Sequence, residues 1–379
     1  MRRAESSFQR RAEPGVRTGR SYRGRTTAAG DPATIVVHAC CPATVFTGQR
    51  QRSPRRRSPA RQPGPYRIAP GAGQWNRRRA APVHRGTETR EAAVHIAVLG
   101  MGQMGRALAG RLLGGGHRVT VWNRTKGRVG QLESAGAVEA ATVAEAVSGA
   151  DAVITMLADD VAVTSVAFGE LQSTLAADTP YLDCSTVSPA LGAALADAFG
   201  ARFLSVPIVG APAAVEAGTA VLLAGGEAAL IDRLAPLLGD LSGRIRRYDS
   251  AAHALTAKVT TNFLLLSGVA ALAEAFAVGR SGGLGDEQLR ELLADAPVVA
   301  PALANRFDAV LTASPQGWWT TVLGAKDAGL ALDIAAAAEV ELPVAETVRG
   351  RYESAAHRNP DADISAVAAL YRGRTGPSS

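Results

Sequence analysis

A lysine and an asparagine stand close together in the segment TAKVTTNFLLLSG, residues 256–268, which is nearly all apolar after the asparagine. Lys258 and Asn262 are four residues apart, so a helix would present both side chains on one face, about one turn apart. Partial desolvation lowers the pKa of such a lysine toward neutrality, which suits it to proton transfer at a carbonyl or alkoxide oxygen. The structural alternative is a lysine that snorkels from a helix start beside a cap-like asparagine.

A second group of residues fits the binding of a dinucleotide. The segment GMGQMG, residues 100–105, matches G-x-G-x-x-G and lies between a strand-like apolar run and a helical pattern. Its glycines permit a tight turn, close approach of a pyrophosphate and close helix–strand contact, and the helix N-terminus offers N–H groups to phosphate. The predicted cofactor-binding residues are Gly100, Met101, Gly102, Gln103, Met104 and Gly105, joined by Met156 and Leu157 at the end of a later strand.

The end of the second predicted strand bears on which nicotinamide cofactor binds. An NAD site usually has a carboxylate there for the ribose 2′-hydroxyl, whereas this chain reads WNRTKGR, with no acid before Glu133. A guanidinium binds a 2′-phosphate through paired hydrogen bonds. We therefore predict NADP rather than NAD, bound through Asn123, Arg124 and Thr125; in the alternative, Arg124 is only a solvated charge at a helix start.

The elements that must hold these residues follow from the apolar patterns. Short apolar runs alternate with helical patterns up to about residue 252, which predicts an α/β Rossmann-type doubly wound sheet. After that, one long apolar helical pattern over 254–279 and further Ala- and Leu-rich helices predict an all-α region, with APVVAPAL at 296–303 ambiguous. We predict an NADP-binding Rossmann domain over 94–252 and an all-helical domain over 253–379 that contributes to the active-site cleft and the dimer.

Individual strands and helices of the sheet region can also be assigned from these patterns. The predicted strands are 94–100, 117–123, 151–157, 180–185, 201–207, 219–226 and 243–249. The predicted helices are 106–116, 142–148, 160–173 and 188–199.

Charge divides the chain into a basic segment and an acidic remainder. Residues 1–93 carry 20 arginines and 5 acidic residues, whereas the remainder carries 21 basic and 29 acidic residues. The first segment is rich in Arg, Pro, Gly and Ser without periodicity, which predicts a disordered extension. Clustered arginines attract phosphate, but we favour a non-functional extension, translated from upstream of a start codon near Val94, over nucleic-acid binding.

Cysteine usage and hydropathy exclude several classes of protein. The cysteines, Cys40, Cys41 and Cys184, provide neither a metal-ligand spacing nor a disulfide framework, so we expect no metal and a cytoplasmic location. The apolar run 263–279 is interrupted by Glu274 and is slightly short for a membrane span, so we expect no membrane association. A helix this apolar requires burial on most of its faces, which predicts a homodimer.

Four motifs in order, VLGMGQMGRALAGRLLGGGHRVTVWNRT, DCSTVSP, AKVTTN and GAKDAGLALD, together resemble the 3-hydroxyisobutyrate dehydrogenase-like family of β-hydroxyacid dehydrogenases. The nucleotide domain of this family is of the 6-phosphogluconate dehydrogenase type. The resemblance covers residues 94 to about 372 and implies a Rossmann domain that leads into an all-helical domain, with the active site in the cleft between them. It also implies an NAD(P)-dependent dehydrogenase or reductase that acts on a small-molecule substrate.

The resemblance implies roles for particular residues. Lys258 corresponds to the family's catalytic lysine, the general acid/base on the substrate oxygen, and Asn262 to its asparagine neighbour. Ser185 and Thr186 match a strand-end segment near the nicotinamide and the substrate. Lys326 matches a lysine near the cofactor, with Asp327 beside it.

One segment departs from the family pattern. Where family members read D-A-P-V-S-G-G and bind the substrate carboxylate, this chain reads SVPIVGAP. The serine is replaced by Val209 and the second glycine by Ala211, while Gly210 is retained, so we expect Val209 and Gly210 to face a less polar substrate pocket. Trp318 and Trp319 either wall that pocket or belong to the core.

The sequence leaves three functions open. The first is an NADP-dependent dehydrogenase whose substrate is a less polar carbonyl or alcohol, or a hydroxy acid held by other residues. The second is an imine reductase, against which the retained Lys258 argues. The third is a non-catalytic nucleotide-binding scaffold with a nucleic-acid-binding tail, which would have no need of that lysine.

Overall fold

The computed structural model describes residues 93–372 of the 379-residue chain. The predicted disordered extension therefore lies outside the described residues, apart from its last position. Residues 373–379 of the predicted helical domain also lie outside them.

One mixed sheet of nine strands forms the first part of the described chain. Six parallel strands have the order β3-β2-β1-β4-β5-β6, the Rossmann arrangement, whose order reverses between β1 and β4. β8 continues the sheet antiparallel to β6 and also pairs with β7 and β9. The strands are β1 (His95–Leu99), β2 (Arg118–Trp122), β3 (Val138–Glu139), β4 (Ala152–Thr155), β5 (Tyr181–Asp183), β6 (Phe203–Ser205), β7 (Ile208–Val209), β8 (Val221–Gly226) and β9 (Ile245–Tyr248).

Burial on both faces explains why the central strands are continuous apolar runs. In β1, Ile96 and Val98 pack into one core cluster, and Ala97 and Leu99 pack into the cluster on the opposite face. All four are fully buried, as expected for a parallel strand covered by helices on both sides. The predicted doubly wound fold is confirmed.

The helices around the sheet are mostly short. They are α1 (Gln103–Gly114), α2 (Val143–Val147), α3 (Asp160–Val166), α4 (Gln172–Thr174), α5 (Pro189–Phe199), α6 (Pro212–Glu216), α7 (Ala228–Arg233) and α8 (Ala235–Leu241). One π-helical turn, Ala167–Leu171, interrupts the predicted helix 160–173. Short 3₁₀ turns lie at Gly130–Leu132 and Gly200–Arg202. The two-residue strands and α6 to α8 were not predicted, because segments this short contain too few residues to display a period.

The second part of the described chain is helical, as predicted. Its helices are α9 (Ala251–Ser281), α10 (Asp286–Ala294), α11 (Pro301–Ala304), α12 (Phe307–Thr312), α13 (Thr321–Ala336) and α14 (Pro343–Arg358), followed by a 3₁₀ segment over Ile364–Tyr371. The ambiguous segment 296–303 contains the start of α11 and no strand.

Helix α9 joins the core of the sheet to the core of the helical region. Ala251 and Leu255, near its start, pack into one of the two clusters that flank the sheet, whereas Leu266 and Phe276 belong to the core of the helical region. At 31 residues the helix is longer than the apolar run that predicted it. By length and composition alone it would suffice to cross a membrane, a test that the core helix of a soluble protein also passes.

A glycine in the sheet allows α9 to start close to β8. A Cβ atom at Gly225 would lie 2.3 Å from the Ser250 carbonyl oxygen and 2.6 Å from the Ala254 Cβ atom. Side chains cannot approach that closely, so only glycine fits between this strand and the first turn of the helix. The position of Lys258, two turns further along α9, depends on this contact.

Gly225→Ala should therefore destabilise the fold. We expect a loss of about 1–3 kcal/mol in the free energy of unfolding, because backbone atoms must move to relieve the overlap. Gly239→Ala, at an exposed helical glycine whose added Cβ meets nothing within 4 Å, is the matched control and should be neutral or slightly stabilising. Urea denaturation of the two variants compares them; equal midpoints would contradict the packing role of Gly225.

Candidate active site

The glycine-rich loop after β1 combines two packed glycines with one open position. Gly100 has φ +108°, and a Cβ there would lie 2.3 Å from the Met156 carbonyl oxygen; a Cβ at Gly105 would lie 1.8 Å from the Gly100 carbonyl oxygen. A Cβ at Gly102, by contrast, would meet nothing within 4 Å. The first and third glycines are thus required by the fold, while the second leaves free space at the N-terminus of α1, where a pyrophosphate can approach.

Asn123 braces this loop. Its Oδ1 accepts a hydrogen bond from the Met101 N–H at 3.0 Å, and its Nδ2 donates to the Thr125 carbonyl at 2.8 Å. The Asn123 side chain therefore ties the turn after β2 to the turn after β1, and both turns line the same cleft.

That cleft, of about 510 Å³, lies at the carboxyl ends of β1, β2 and β4, the switch point where nucleotides bind in such sheets. All the predicted cofactor residues except Lys326 line it. The additional lining residues, which were not predicted, are Trp122, Arg128, Ala158, Ala162, Ser165, Val166, Glu170, Trp318 and Leu323. Arg128 was missed, although its signal, a third basic residue in WNRTKGR, was present.

A smaller cavity of about 90 Å³ adjoins the cleft and shares lining residues with it, among them Met104, Leu157 and Trp318. Lys258 and Asn262 of α9 line this cavity, as do Lys326 and Asp327 of α13. The structure thus brings together residues from the sheet and from two helices that are far apart in the sequence. The other lining residues are Met156, Ala158, Thr186, Ile208, Gly210, Trp319 and Leu323.

Lys258 is a buried amine with one main-chain partner. Its side chain is 8% exposed, and Nζ donates to the Ile208 carbonyl at 2.6 Å. Burial lowers the pKa of Lys258 to about 8; the Asp327 carboxylate opposes this effect and the positive charge of Lys326 adds to it. A lysine that changes protonation near neutral pH can both give and take a proton.

Asp327 is the carboxylate of this cluster and contacts two of its members. Its Oδ2 accepts a hydrogen bond from Asn262 Nδ2 at 2.8 Å, and its Oδ1 lies 2.7 Å from Lys326 Nζ. The second contact is an ion pair whose angles are not those of a hydrogen bond. Lys326 Nζ also donates to the Thr186 carbonyl at 2.5 Å, so that α13 is tied to the loop after β5.

Two predicted substrate-binding residues do not line this cavity. Ser185 is fully buried, and its Oγ accepts the Leu157 N–H at 2.9 Å, so it braces the loop after β4 instead of facing the cavity. Val209 is half-buried, and its neighbours Ile208 and Gly210 provide the lining instead. In both segments a neighbouring residue lines the cavity instead, namely Thr186 beside Ser185 and Ile208 and Gly210 beside Val209, and the role of the two residues in substrate binding stays a prediction.

Two family models match the described chain in succession. The NAD-binding domain of 6-phosphogluconate dehydrogenase matches residues 95–249, and the NAD-binding domain of NADP-dependent 3-hydroxyisobutyrate dehydrogenase matches residues 252–371. The junction between the matches coincides with the loop before α9.

Known proteins with similar sequence or structure are oxidoreductases. An uncharacterized oxidoreductase of Bacillus subtilis is 36% identical over 68% of this chain and 93% of its own length. The 3-hydroxyisobutyrate dehydrogenase of Pseudomonas aeruginosa is 31% identical over 74% of this chain and 99% of its own. The solved structure of 3-hydroxyisobutyrate dehydrogenase from Mycobacterium tuberculosis with L-serine has a TM-score of 0.66 at 27% identity, covering 74% of this chain and all of that one.

Because position 102 in the glycine loop is open, a substitution there should change cofactor binding without changing the stability of the fold. Gly102→Val should weaken dinucleotide binding at least tenfold, because the new side chain would fill the space left for the pyrophosphate, while the unfolding midpoint stays unchanged. Gly105→Ala should lower the unfolding midpoint as well as the affinity, because its Cβ would overlap the Gly100 carbonyl oxygen. Fluorescence titration with NADPH and urea denaturation measure the two properties. Unaltered NADPH affinity in Gly102→Val would contradict this assignment.

Proposed function

The chain belongs to the 3-hydroxyisobutyrate dehydrogenase-like family of NAD(P)-dependent oxidoreductases, and on that premise we propose that it transfers a hydride between NADP and a small hydroxy acid or carbonyl compound. Lys258 is the general acid/base in this proposal. The observation that carries the proposal is the buried Lys258 ammonium in a cavity that opens onto the cofactor cleft.

The residues around Lys258 are suited to proton transfer at oxygen. A bound nicotinamide supplies or accepts the hydride. As a carbonyl becomes an alkoxide, the oxygen requires a proton donor within hydrogen-bond reach, and the Lys258 ammonium fills that role. In the opposite direction, the neutral amine takes the hydroxyl proton. The Ile208 carbonyl, which accepts from Nζ at 2.6 Å, holds the amine in place in both states.

Asn262 and Asp327 support the position of the reacting oxygen. The Asp327 carboxylate accepts one amide hydrogen of Asn262, which fixes the amide plane one helical turn from Lys258. The remaining polar atoms of that amide are then available to the substrate oxygen. The Asp327 carboxylate also favours the charged form of the buried Lys258 and so offsets part of the effect of burial on its pKa.

Two arginines on the cofactor cleft support NADP over NAD. Arg124 follows β2, and Arg128 stands four residues later in the same loop; both line the cleft. Glu133, the first acid after β2, is not among the described lining residues, and Glu170, the acid that does line the cleft, comes from the segment after α3. We propose that the two guanidinium groups bind the 2′-phosphate.

An exposed apolar stripe on α9 supports the proposed homodimer. Leu264 and Val278 are each 74% exposed in the single chain. Ala271 and Ala275 lie exposed between them on the same side of the helix, so that successive members of the stripe are seven, four and three residues apart. Small apolar residues in such a row allow the close approach of another helix.

Replacement of Lys258 tests its role. Lys258→Met should lower kcat at least a hundredfold, because the proton donor is lost, while the Kd for NADPH stays within about twofold. In the wild type, reduction should slow as the pH rises through about 8, since the donor must be protonated, and oxidation should speed up over the same range. Near-normal turnover in Lys258→Met would remove Lys258 from the mechanism.

Cofactor preference tests the arginine pair. Arg124→Ala and Arg128→Ala should each weaken NADPH binding by about tenfold or more and leave NADH binding nearly unchanged, because only NADPH carries the 2′-phosphate. The ratio of the two dissociation constants is the readout. A wild-type protein that binds NADH more tightly than NADPH would overturn the assignment.

The stripe on α9 predicts the oligomeric state. The protein should be a dimer by light scattering, and Leu264→Asp should shift it toward monomer by placing charge in the apolar stripe. Val161→Asp, at a residue 79% exposed on α3, is the matched control and should leave the dimer intact. A monomeric wild-type protein, or an unaffected Leu264→Asp dimer, would contradict the interface.

A further inference from the structure

The cavity beside Lys258 has a largely apolar lining. Its apolar residues are Met104, Met156, Leu157, Ala158, Ile208, Trp318, Trp319 and Leu323. Its polar side chains are confined to one side, where α9 and α13 meet the loop after β5. A substrate that reaches Lys258 therefore places its reacting oxygen on the polar side and its substituents against hydrocarbon and indole.

The polar side offers no uncommitted cation to a second charged group. Lys326 is already paired with Asp327 and donates to the Thr186 carbonyl. Lys258 serves the reacting oxygen in the proposed mechanism. A substrate carboxylate in this cavity would share it with the Asp327 carboxylate and would have only neutral groups, such as Thr186 and the Asn262 amide, as partners, which is costly for an ionised group.

The segment 209–211 adds no charged side chain to the cavity. Of the described residues 209–211, only Gly210 lines the cavity. Its φ of +151° and the neighbouring Ala214 and Ala220 Cβ atoms, 3.2 and 3.1 Å from where its own Cβ would be, restrict this position to glycine. This segment therefore contributes shape to the cavity and no side-chain donor.

The size and rigidity of the cavity limit the substituents that a substrate can carry beside its reacting carbonyl group. The cavity of about 90 Å³ is smaller than the roughly 150 Å³ apolar cavity that holds benzene in an engineered protein. One wall is the stacked pair Trp318 and Trp319, with ring centroids 5.8 Å apart. Arg306 lies over the Trp318 ring at 5.6 Å and is itself paired with the buried Asp363 at 2.7 Å. These contacts hold the Trp318 ring in place. A small cavity with a fixed wall favours substrates with small substituents.

From this lining we infer that the substrate is an uncharged carbonyl compound with short apolar substituents, and that the cavity discriminates against carboxylates. The inference rests on the proposed function and narrows its substrate class. In the reduction, the carbonyl carbon gains the hydride from the dihydronicotinamide, which is thereby oxidised. The C=O π electron pair moves to oxygen, and the oxygen takes a proton from the Lys258 ammonium, giving an uncharged alcohol.

Matched pairs of substrates test the inference with the wild-type protein. Pyruvate and 3-methyl-2-butanone have the same heavy-atom connectivity, as do 4-oxobutanoate and 4-methylpentanal, and the members of each pair differ only in having a carboxylate or an isopropyl group. In an NADPH-oxidation assay, kcat/KM should be at least tenfold higher for the isopropyl member than for the carboxylate member in at least one pair. The carboxylate member should be the better substrate in neither pair. If, in every pair that reacts, kcat/KM for the carboxylate member equals or exceeds that for the isopropyl member, the inference is overturned. The proposed function would still hold in that case.

Two further results of this substrate test would distinguish failure of the proposed function from a different substrate class. If NADPH binds but no carbonyl compound is turned over, the proposed function fails and the inference with it. The same test includes 1-pyrroline, since preferential reduction of this cyclic imine would replace a carbonyl substrate with an imine.

A designed change of preference provides an independent check. Leu323→Arg places a guanidinium in the lining of the cavity, and Leu323→Met, its matched control, keeps the lining apolar. Relative to the control, Leu323→Arg should raise the carboxylate-to-isopropyl ratio of kcat/KM at least tenfold, with the urea-unfolding midpoint verifying that the variant is folded. Because Leu323 also lines the cofactor cleft, both variants are assayed at saturating NADPH. An unchanged ratio in a folded Leu323→Arg variant would contradict a preference set by the missing cation.

Discussion

Two ammonium groups and one carboxylate line the same cavity where the sheet meets the helical region, and the proposed chemistry depends on how these three charges are paired. Asp327 can compensate only one positive charge, and its closest ammonium is that of Lys326 at 2.7 Å. Lys258 is left with a neutral partner, the Ile208 carbonyl. Its charged form is therefore disfavoured by burial, which is the physical reason for a pKa of about 8.

Close packing between elements is what keeps this site in place. Helix α9 carries Lys258, and its first turn rests on β8 at Gly225, where no side chain would fit. Lys326 joins α13 to the loop after β5. The glycine loop and the loop after β4 pack closely at Gly100 and Met156, and Met156 lines both the cofactor cleft and the cavity. Proton transfer and hydride transfer can then occur at adjacent positions on one substrate.

The sequence predicted the elements and the first members of the site better than it predicted side-chain directions. The doubly wound fold, the long helix and the placement of Lys258 and Asn262 on one helix face follow from local patterns, namely short apolar runs, the 3.6-residue helical period and a spacing of four residues. Ser185 and Val209 were predicted because their segments reach the cavity, whereas the residues that line it are their neighbours Thr186, Ile208 and Gly210. The role of Asp327 depends on its contact with Asn262 of another helix, which no local pattern contains.

The central claim is that Lys258 titrates near neutral pH because it is buried with too little opposing charge. The chain contains three lysines, Lys126, Lys258 and Lys326, so the side-chain NMR signals of labelled lysine can be assigned by single substitution. One signal should titrate near pH 8 and disappear in a protein lacking the Lys258 amine. Three signals that all titrate above pH 10 would contradict the account.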